Sequence, residues 1–210
     1  MAEIKSILYR LKKDGYNVQK RLGEGGYGYA YLLDNGRVLK VTTDEREAKA
    51  SNLIIGRNFQ NVAKIFRVWR YTKYYNWFFI EQEKLEKINK KEVSKWLQSD
   101  FNEFLNLESF LLQIFKNEIN VSEAKSILNN YEDKEFYDFA SDMINAAKDL
   151  LSLNIIWKDL HEDNIMKNGN IFKVIDLGFS KSPGRVTDVI ENFNLCELIK
   201  GVNLKKYGRS

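Results

Sequence analysis

Trp157-Lys158-Asp159-Leu160-His161-Glu162-Asp163-Asn164-Ile165-Met166-Lys167-Asn168-Gly169-Asn170-Ile171-Phe172-Lys173-Val174-Ile175-Asp176-Leu177-Gly178 is the stretch against which the rest of the chain is read. Asp159 is followed five positions later by Asn164, and a second Asp, Asp176, stands directly before Leu177 and Gly178. Between Asn164 and Asp176 lie two short apolar runs joined by Asn168-Gly169, a pair suited to a tight hairpin turn. Such a hairpin folds Asn164 and Asp176 back towards each other. An Asp able to hold an acceptor hydroxyl, beside an Asn and an Asp able to share Mg²⁺, makes up the parts of a phosphoryl-transfer site.

On these residues the stretch resembles the catalytic loop and the metal-binding D-F-G segment of the protein-kinase superfamily, with Leu177 in place of Phe. The resemblance implies an α+β, bilobal fold. Its N-terminal nucleotide-binding lobe, residues 1–83, would hold a five-stranded antiparallel sheet and a helix. Residues 84–210 would form a truncated, mainly helical lobe. It also implies ATP as phosphoryl donor and Mg²⁺ as cofactor, with Asn164 and Asp176 as metal ligands and Asp159 as the group that orients the acceptor or takes its proton.

The upstream sequence carries the other expected parts in order. Ile4, Ile7, Leu8 and Leu11 repeat at helical spacing and predict an opening amphipathic helix that packs on the lobe. Gly23-Glu24-Gly25-Gly26-Tyr27-Gly28 follows with the G-x-G-x-x-G spacing, which by itself is a weak signal. A dinucleotide fold would need a helix next. Instead Tyr29–Leu33, Asp34-Asn35-Gly36 and Arg37–Val41 read as a hairpin, so the glycines join two strands. That arrangement resembles the kinase glycine-rich loop, in which Gly23, Gly25, Gly26 and Gly28 let backbone N–H groups approach the ATP phosphates and Tyr27 stands at the tip.

Lys40, in Val38-Leu39-Lys40-Val41, falls where the family places the lysine of the α- and β-phosphates. Its partner is expected on the next helix, for which Asp44 is a plausible N-cap. Glu47 is the preferred partner and Glu45 the alternative; the spacing from Lys40 is shorter than in typical protein kinases. Two β-rich runs, Val62–Tyr71 and Tyr74–Glu81, complete the sheet. Their aromatics Trp69, Tyr75, Trp77 and Phe78 are read as sheet packing. By resemblance, Ile80 guards the back of the pocket and the backbone of Glu81, Gln82 and Glu83 meets adenine.

Residues 84–130, without proline or glycine, predict two or three helices, and Phe136 to Leu151 predicts one long helix leading into the catalytic stretch. Lys84, Lys87, Lys90, Lys91 and Lys95 form the wet face of the first helix. Lys158 replaces the Arg that reads a phosphorylated activation loop in many protein kinases. His161 stands where those enzymes commonly carry Lys, and Asp-Leu-His-x-x-Asn is similar to the loop of aminoglycoside phosphotransferases. The residue either supports catalysis or shapes the loop. Only 34 residues follow Asp176, without an Ala-Pro-Glu motif, too few for the large peptide-binding subdomain. They are expected to hold one closing helix, Val186–Ile199; Ser180, Ser182 and Thr187 are default polar residues, and Lys205, Lys206 and Arg209 a fraying end.

Composition narrows the partners. The 33 basic and 29 acidic residues are spread along the chain, so no single-sign block points to nucleic acid. One cysteine, Cys196, excludes an internal disulfide or a multi-Cys metal site and is read as a small buried hydrophobe. No apolar run approaches a membrane span and no leader pattern opens the chain, so a cytoplasmic location is expected. The expected function is ATP- and Mg²⁺-dependent transfer to a hydroxyl, foremost of a protein Ser or Thr. A small-molecule acceptor and a pseudokinase-like binding module are the rival readings.

Overall fold

A computed structural model describes residues 2–74, 76–101, 105–178 and 191–193. The apolar stripe of the first segment folds as α1 (Ala2–Lys13), with Ile7 and Leu11 fully buried. Three strands follow: β1 (Val18–Gly25), β2 (Gly28–Leu33) and β3 (Val38–Thr42). Then come α2 (Glu45–Ile54), β4 (Ile65–Tyr71) and β5 (Phe78–Gln82). β1 to β5 form an antiparallel sheet in the order β1-β2-β3-β5-β4.

The sheet sorts its side chains by strand alternation. Leu39, Val41, Trp69, Tyr71 and Phe79 face α1 and form one core with Ile7, Leu11, Tyr31 and Leu33. Tyr16 stacks on Trp69 at 4.9 Å between ring centroids, and Trp69 stacks on Phe79 at 5.5 Å. On the other face Val68, Phe78 and Ile80 pack with Ala48 and Ile54 of α2 in a second core. Trp69 and Phe78 are therefore packing residues, while Trp77 is half-buried and Tyr75 lies outside the described residues. β4 starts at Ile65 rather than Val62, and β5 starts at Phe78 rather than Tyr74, which belongs to the 3-10 turn Thr72–Tyr74.

The second core continues without a break into the helices of the C-terminal half. These are α3 (Lys90–Gln98), α4 (Leu107–Phe115), α5 (Val121–Leu128) and the long α6 (Lys134–Ser152). Side chains of Asn106, Asn120 and Asp133 accept backbone N–H groups at the starts of α4, α5 and α6, as N-caps do. The hairpin β6 (Ile165–Asn168) and β7 (Ile171–Val174) follows, turning at Gly169 with φ +59°. None of the described helices is long and apolar enough to cross a membrane.

The hairpin is tied to both halves of the chain. Its Val174 N–H donates to Asn61 O (2.9 Å), and Ala63 N–H donates to Val174 O (3.0 Å). Glu86 and Lys167 exchange backbone bonds of 2.8 and 3.1 Å. Phe172 N–H donates to Asp142 Oδ2 on α6 (2.8 Å). Burial raises the Asp142 carboxyl, opposed by the Phe172 N–H and by a hydrogen bond from the Asn61 side chain.

Beyond Gly178 one expectation changes. Of the closing helix predicted over 186–199 only Glu191–Phe193 is described, and it is a strand, β8, paired parallel to Trp69–Tyr71 of β4. The backbone groups along the outer edge of β4 compete for this segment and override its helical spacing. Ser180, Ser182, Thr187, Cys196 and the basic end lie outside the described residues.

Candidate active site

The register of the sheet places Gly23, Ala30, Lys40, Ile80 and Val68 in one cross-strand row on the α2 face. Helix α2 starts almost at once after β3, because Asp44 Oδ1 accepts the N–H groups of Arg46 (2.8 Å) and Glu47 (3.4 Å). This cap fixes the phase of the helix, and Glu47 is turned onto Lys40, whose Nζ donates to its carboxylate. Glu45 points elsewhere and lies 3.6 Å from Lys49 Nζ. From the far side Asp176 Oδ2 accepts from Lys40 Nζ at 2.6 Å.

Lys40 thus sits between two carboxylates with its side chain 18% exposed. Burial would lower its pKa, but the charges and hydrogen bonds of Glu47 and Asp176 outweigh it and hold the ammonium above its ordinary value. Glu47 is 2% exposed. Burial pushes its carboxyl up to about 7, with Lys40 opposing and the charge of Asp176 adding to the rise.

The 157–178 stretch presents the opposite wall. Asn164 Nδ2 donates to Asp159 O (2.9 Å) and Asp159 Oδ2 (3.0 Å), which fixes the Asp159 carboxylate, whose side chain is one-third exposed. His161 accepts Asp163 N–H on Nδ1 (3.2 Å), capping the short turn Glu162–Asn164. Its Nε2 lies 2.9 Å from Asn164 Nδ2 and 3.6 Å from Asp159 Oδ2. Lys90 at the start of α3 pairs with Asp163, and Lys158 is exposed.

Ile175 N–H donates to Asn164 O at 2.8 Å, so Asn164 and Asp176 are brought to the same end of the hairpin. Asp176 itself is in the left-handed region with φ +47°, which few non-glycine residues occupy. Trp157, fully buried, donates Nε1–H to Asp176 O (3.1 Å), and Gly178 N–H donates to Asp176 Oδ1 (3.2 Å). Leu177, 4% exposed, anchors the turn in the core between them. Strain of this kind persists where surrounding bonds over-determine it.

The glycine segment is the β1–β2 hairpin, with Gly25 opposite Gly28. A Cβ on Gly28 would come 2.0 Å from Val41 O, so this position is glycine because β3 passes against it. Cβ atoms on Gly23, Gly25 and Gly26 would meet nothing within 4 Å, leaving open space along the loop. Tyr27, about half exposed, holds the tip: its carbonyl accepts from Thr43 N–H (2.8 Å) and Thr43 Oγ1 (3.1 Å).

At the other border, Glu81 lies in a row with Leu39 and turns its side chain away from Lys40, onto Asn35 (3.2 Å) and Arg37 (3.0 Å). Glu83 N–H donates to Lys64 O at 2.9 Å. Its carboxylate accepts from Lys64 N–H (2.7 Å) and Lys173 Nζ (2.6 Å). Both groups of Glu83 are thus engaged inside the protein.

Lys40, Glu47 and Asp176 come together, as do Asp159, His161 and Asn164, and Ile175 joins the two sets. Trp157 and the Glu83–Lys173 pair are parts of the frame that sequence reasoning did not assign. A buried Trp seeks a partner for its N–H, which was the available signal for Trp157. Lys173 gave none. Among the described residues no three His, Cys, Asp or Glu side chains converge as a metal-binding group. Asn164 and Asp176 offer a smaller, all-oxygen set: the Asn164 amide nitrogen is spent on Asp159, which leaves its Oδ1 as the remaining donor atom. No protein-family model matches the chain, and no curated protein matches it.

Proposed function

We propose that this chain is a phosphotransferase with a bilobal, protein-kinase-like fold, moving the γ-phosphoryl group of ATP to a hydroxyl acceptor. The observation that carries the reading is Lys40: its ammonium meets Glu47 on α2 and Asp176, 136 positions away, next to a hairpin in which Gly23, Gly25 and Gly26 face open space. A lone structural lysine needs one carboxylate. Two, beside open space, leave one available for another partner.

In this reading Lys40, oriented by Glu47, neutralises the α- and β-phosphates, and the backbone of Gly23, Gly25, Gly26, Tyr27 and Gly28 lies over them. The segment 81–83 borders adenine through those backbone groups that Lys64 does not take. Asp159 accepts the proton of the acceptor hydroxyl as the new O–P bond forms and the bond from the γ-phosphorus to ADP breaks. Asn164 holds Asp159 in place, and His161 shapes the loop. The two hard oxygen donors, the Asp176 carboxylate and Asn164 Oδ1, fit Mg²⁺ and would hold it. When bound, the ion would neutralise charge on the transferring phosphoryl group.

The acceptor assigned is a protein Ser or Thr hydroxyl. A small hydroxylated molecule is the second reading, favoured by His161, rather than a lysine, beside the Asp159 carboxylate. Incubation with labelled ATP and fractionated cell extract tests both: label enters protein bands in the first case and small-molecule fractions in the second. Asp159→Asn is expected to lower turnover by about 10²–10⁴-fold while nucleotide binding persists. Asp176→Asn is expected to weaken Mg²⁺-dependent ATP binding as well. Equal turnover in wild type and Asp159→Asn sinks the mechanism, and nucleotide binding without transfer by wild type marks a binding module.

A further inference from the structure

Asp44 lies where the glycine hairpin, α2 and the Asp176 turn meet, and the mechanism above gives it no part. It is 5% exposed, and its Oδ1 caps α2. Capping needs a side-chain oxygen, which Asn supplies as well as Asp. The buried charge is therefore more than the helix requires.

Its second oxygen faces Gly178. A Cβ built on Gly178 would come 3.2 Å from Asp44 Oδ2 and 3.1 Å from Asp176 Oδ1. One oxygen of each carboxylate thus lies against the same glycine. Around this point stand three carboxylates, Asp44, Glu47 and Asp176, against two cations. Lys40 is shared by Glu47 and Asp176, and Arg46, half-exposed, lies 3.3 to 3.4 Å from Asp44. With all three carboxylates ionised the local sum is one negative charge in excess.

We infer that Asp44 is a positioning residue for divalent-cation binding at Asp176. Its carboxylate fixes the Gly178 turn from behind and supplies the excess negative charge that draws the ion, and Arg46 attenuates it. The inference rests on the phosphotransferase reading and adds to it a residue that touches neither nucleotide nor acceptor. A unit charge a few ångströms from a divalent ion in a partly buried site outweighs thermal energy several-fold.

The test is a titration of Mn²⁺, followed by its electron paramagnetic resonance, into protein carrying a non-hydrolysable ATP analogue. Asp44→Asn keeps the cap and the side-chain shape and is expected to raise the Mn²⁺ dissociation constant about tenfold with an unchanged melting temperature. Arg46→Gln is expected to move it the opposite way, about two- to threefold tighter, which a loss of packing would not do. Asp176→Asn serves as the control that removes the ligand. Unchanged affinity in Asp44→Asn, or equal weakening in Asp44→Asn and Arg46→Gln, overturns the inference and leaves the phosphotransferase reading intact. Wild type that binds Mn²⁺ no better than Asp176→Asn overturns both.

Discussion

Glu47 is the residue whose environment has the plainest consequence in solution. Its carboxyl ionises near 4.5 ordinarily and is pushed up to about 7 in the folded chain, first by burial. The folded state therefore holds the proton more tightly, and the stability this contributes is complete below about pH 4.5 and is lost as pH rises through 7. Chemical denaturation at pH 5 and pH 7.5 should show a larger fall in wild type than in Glu47→Gln, which cannot ionise there. Under the proposed phosphotransferase reading, nucleotide affinity should run the other way over the same interval, because the ionised carboxylate holds Lys40 more strongly than the neutral acid does. A second contrast sits in the glycine hairpin. Gly28→Ala forces a Cβ towards Val41 O and should cost about 1–3 kcal/mol, lowering the melting temperature by roughly 2–4 °C per kcal/mol. Gly25→Ala meets open space and should melt as wild type does.

At the scale of elements, α1 shows how far local pattern reaches. Ile7 and Leu11 are wholly buried against the sheet while Tyr9 is 63% exposed, as the 3.6-residue period requires. Leu11→Ala should destabilise the chain by about 2–5 kcal/mol, whereas Tyr9→Ala should stay within about 0.5 kcal/mol, both read from urea midpoints. The same periodicity made α6 legible, and turn chemistry made the β6–β7 hairpin legible. Asp44 as N-cap settles Glu47 over Glu45, because starting α2 at Glu45 puts Glu47 on the Lys40 side. Where a signal was not local it was missed. The Trp157 bond to Asp176 O and the Glu83 bond to Lys173 join residues 19 and 90 positions apart, and no spacing along the chain announces them. The segment around Glu191–Phe193 carries helical spacing, yet pairing with β4 decided its form.

For the molecule as a whole, Lys173 and Glu83 matter because they join β7 to the segment after β5. Their side chains are 9% and 16% exposed, so each charge depends on the other. Lys173→Met should destabilise by about 1–3 kcal/mol, since the half-buried Glu83 carboxylate would keep only the Lys64 N–H as partner. The double variant Glu83→Leu with Lys173→Met should recover most of that loss, and a double-mutant cycle on denaturation midpoints checks both values. β8 bears on a different property, how the chain behaves in a crowd of its own copies. One margin of the sheet, β1, is guarded by Lys20, Arg21 and Glu24, whose exposed charges repel a docking strand. The other margin is covered over Trp69–Tyr71 by three residues from late in the sequence. A chain stopped at Gly178 would bare the hydrogen-bonding groups of Trp69–Tyr71 and should aggregate at concentrations where the longer chain stays dispersed, a difference that light scattering would register.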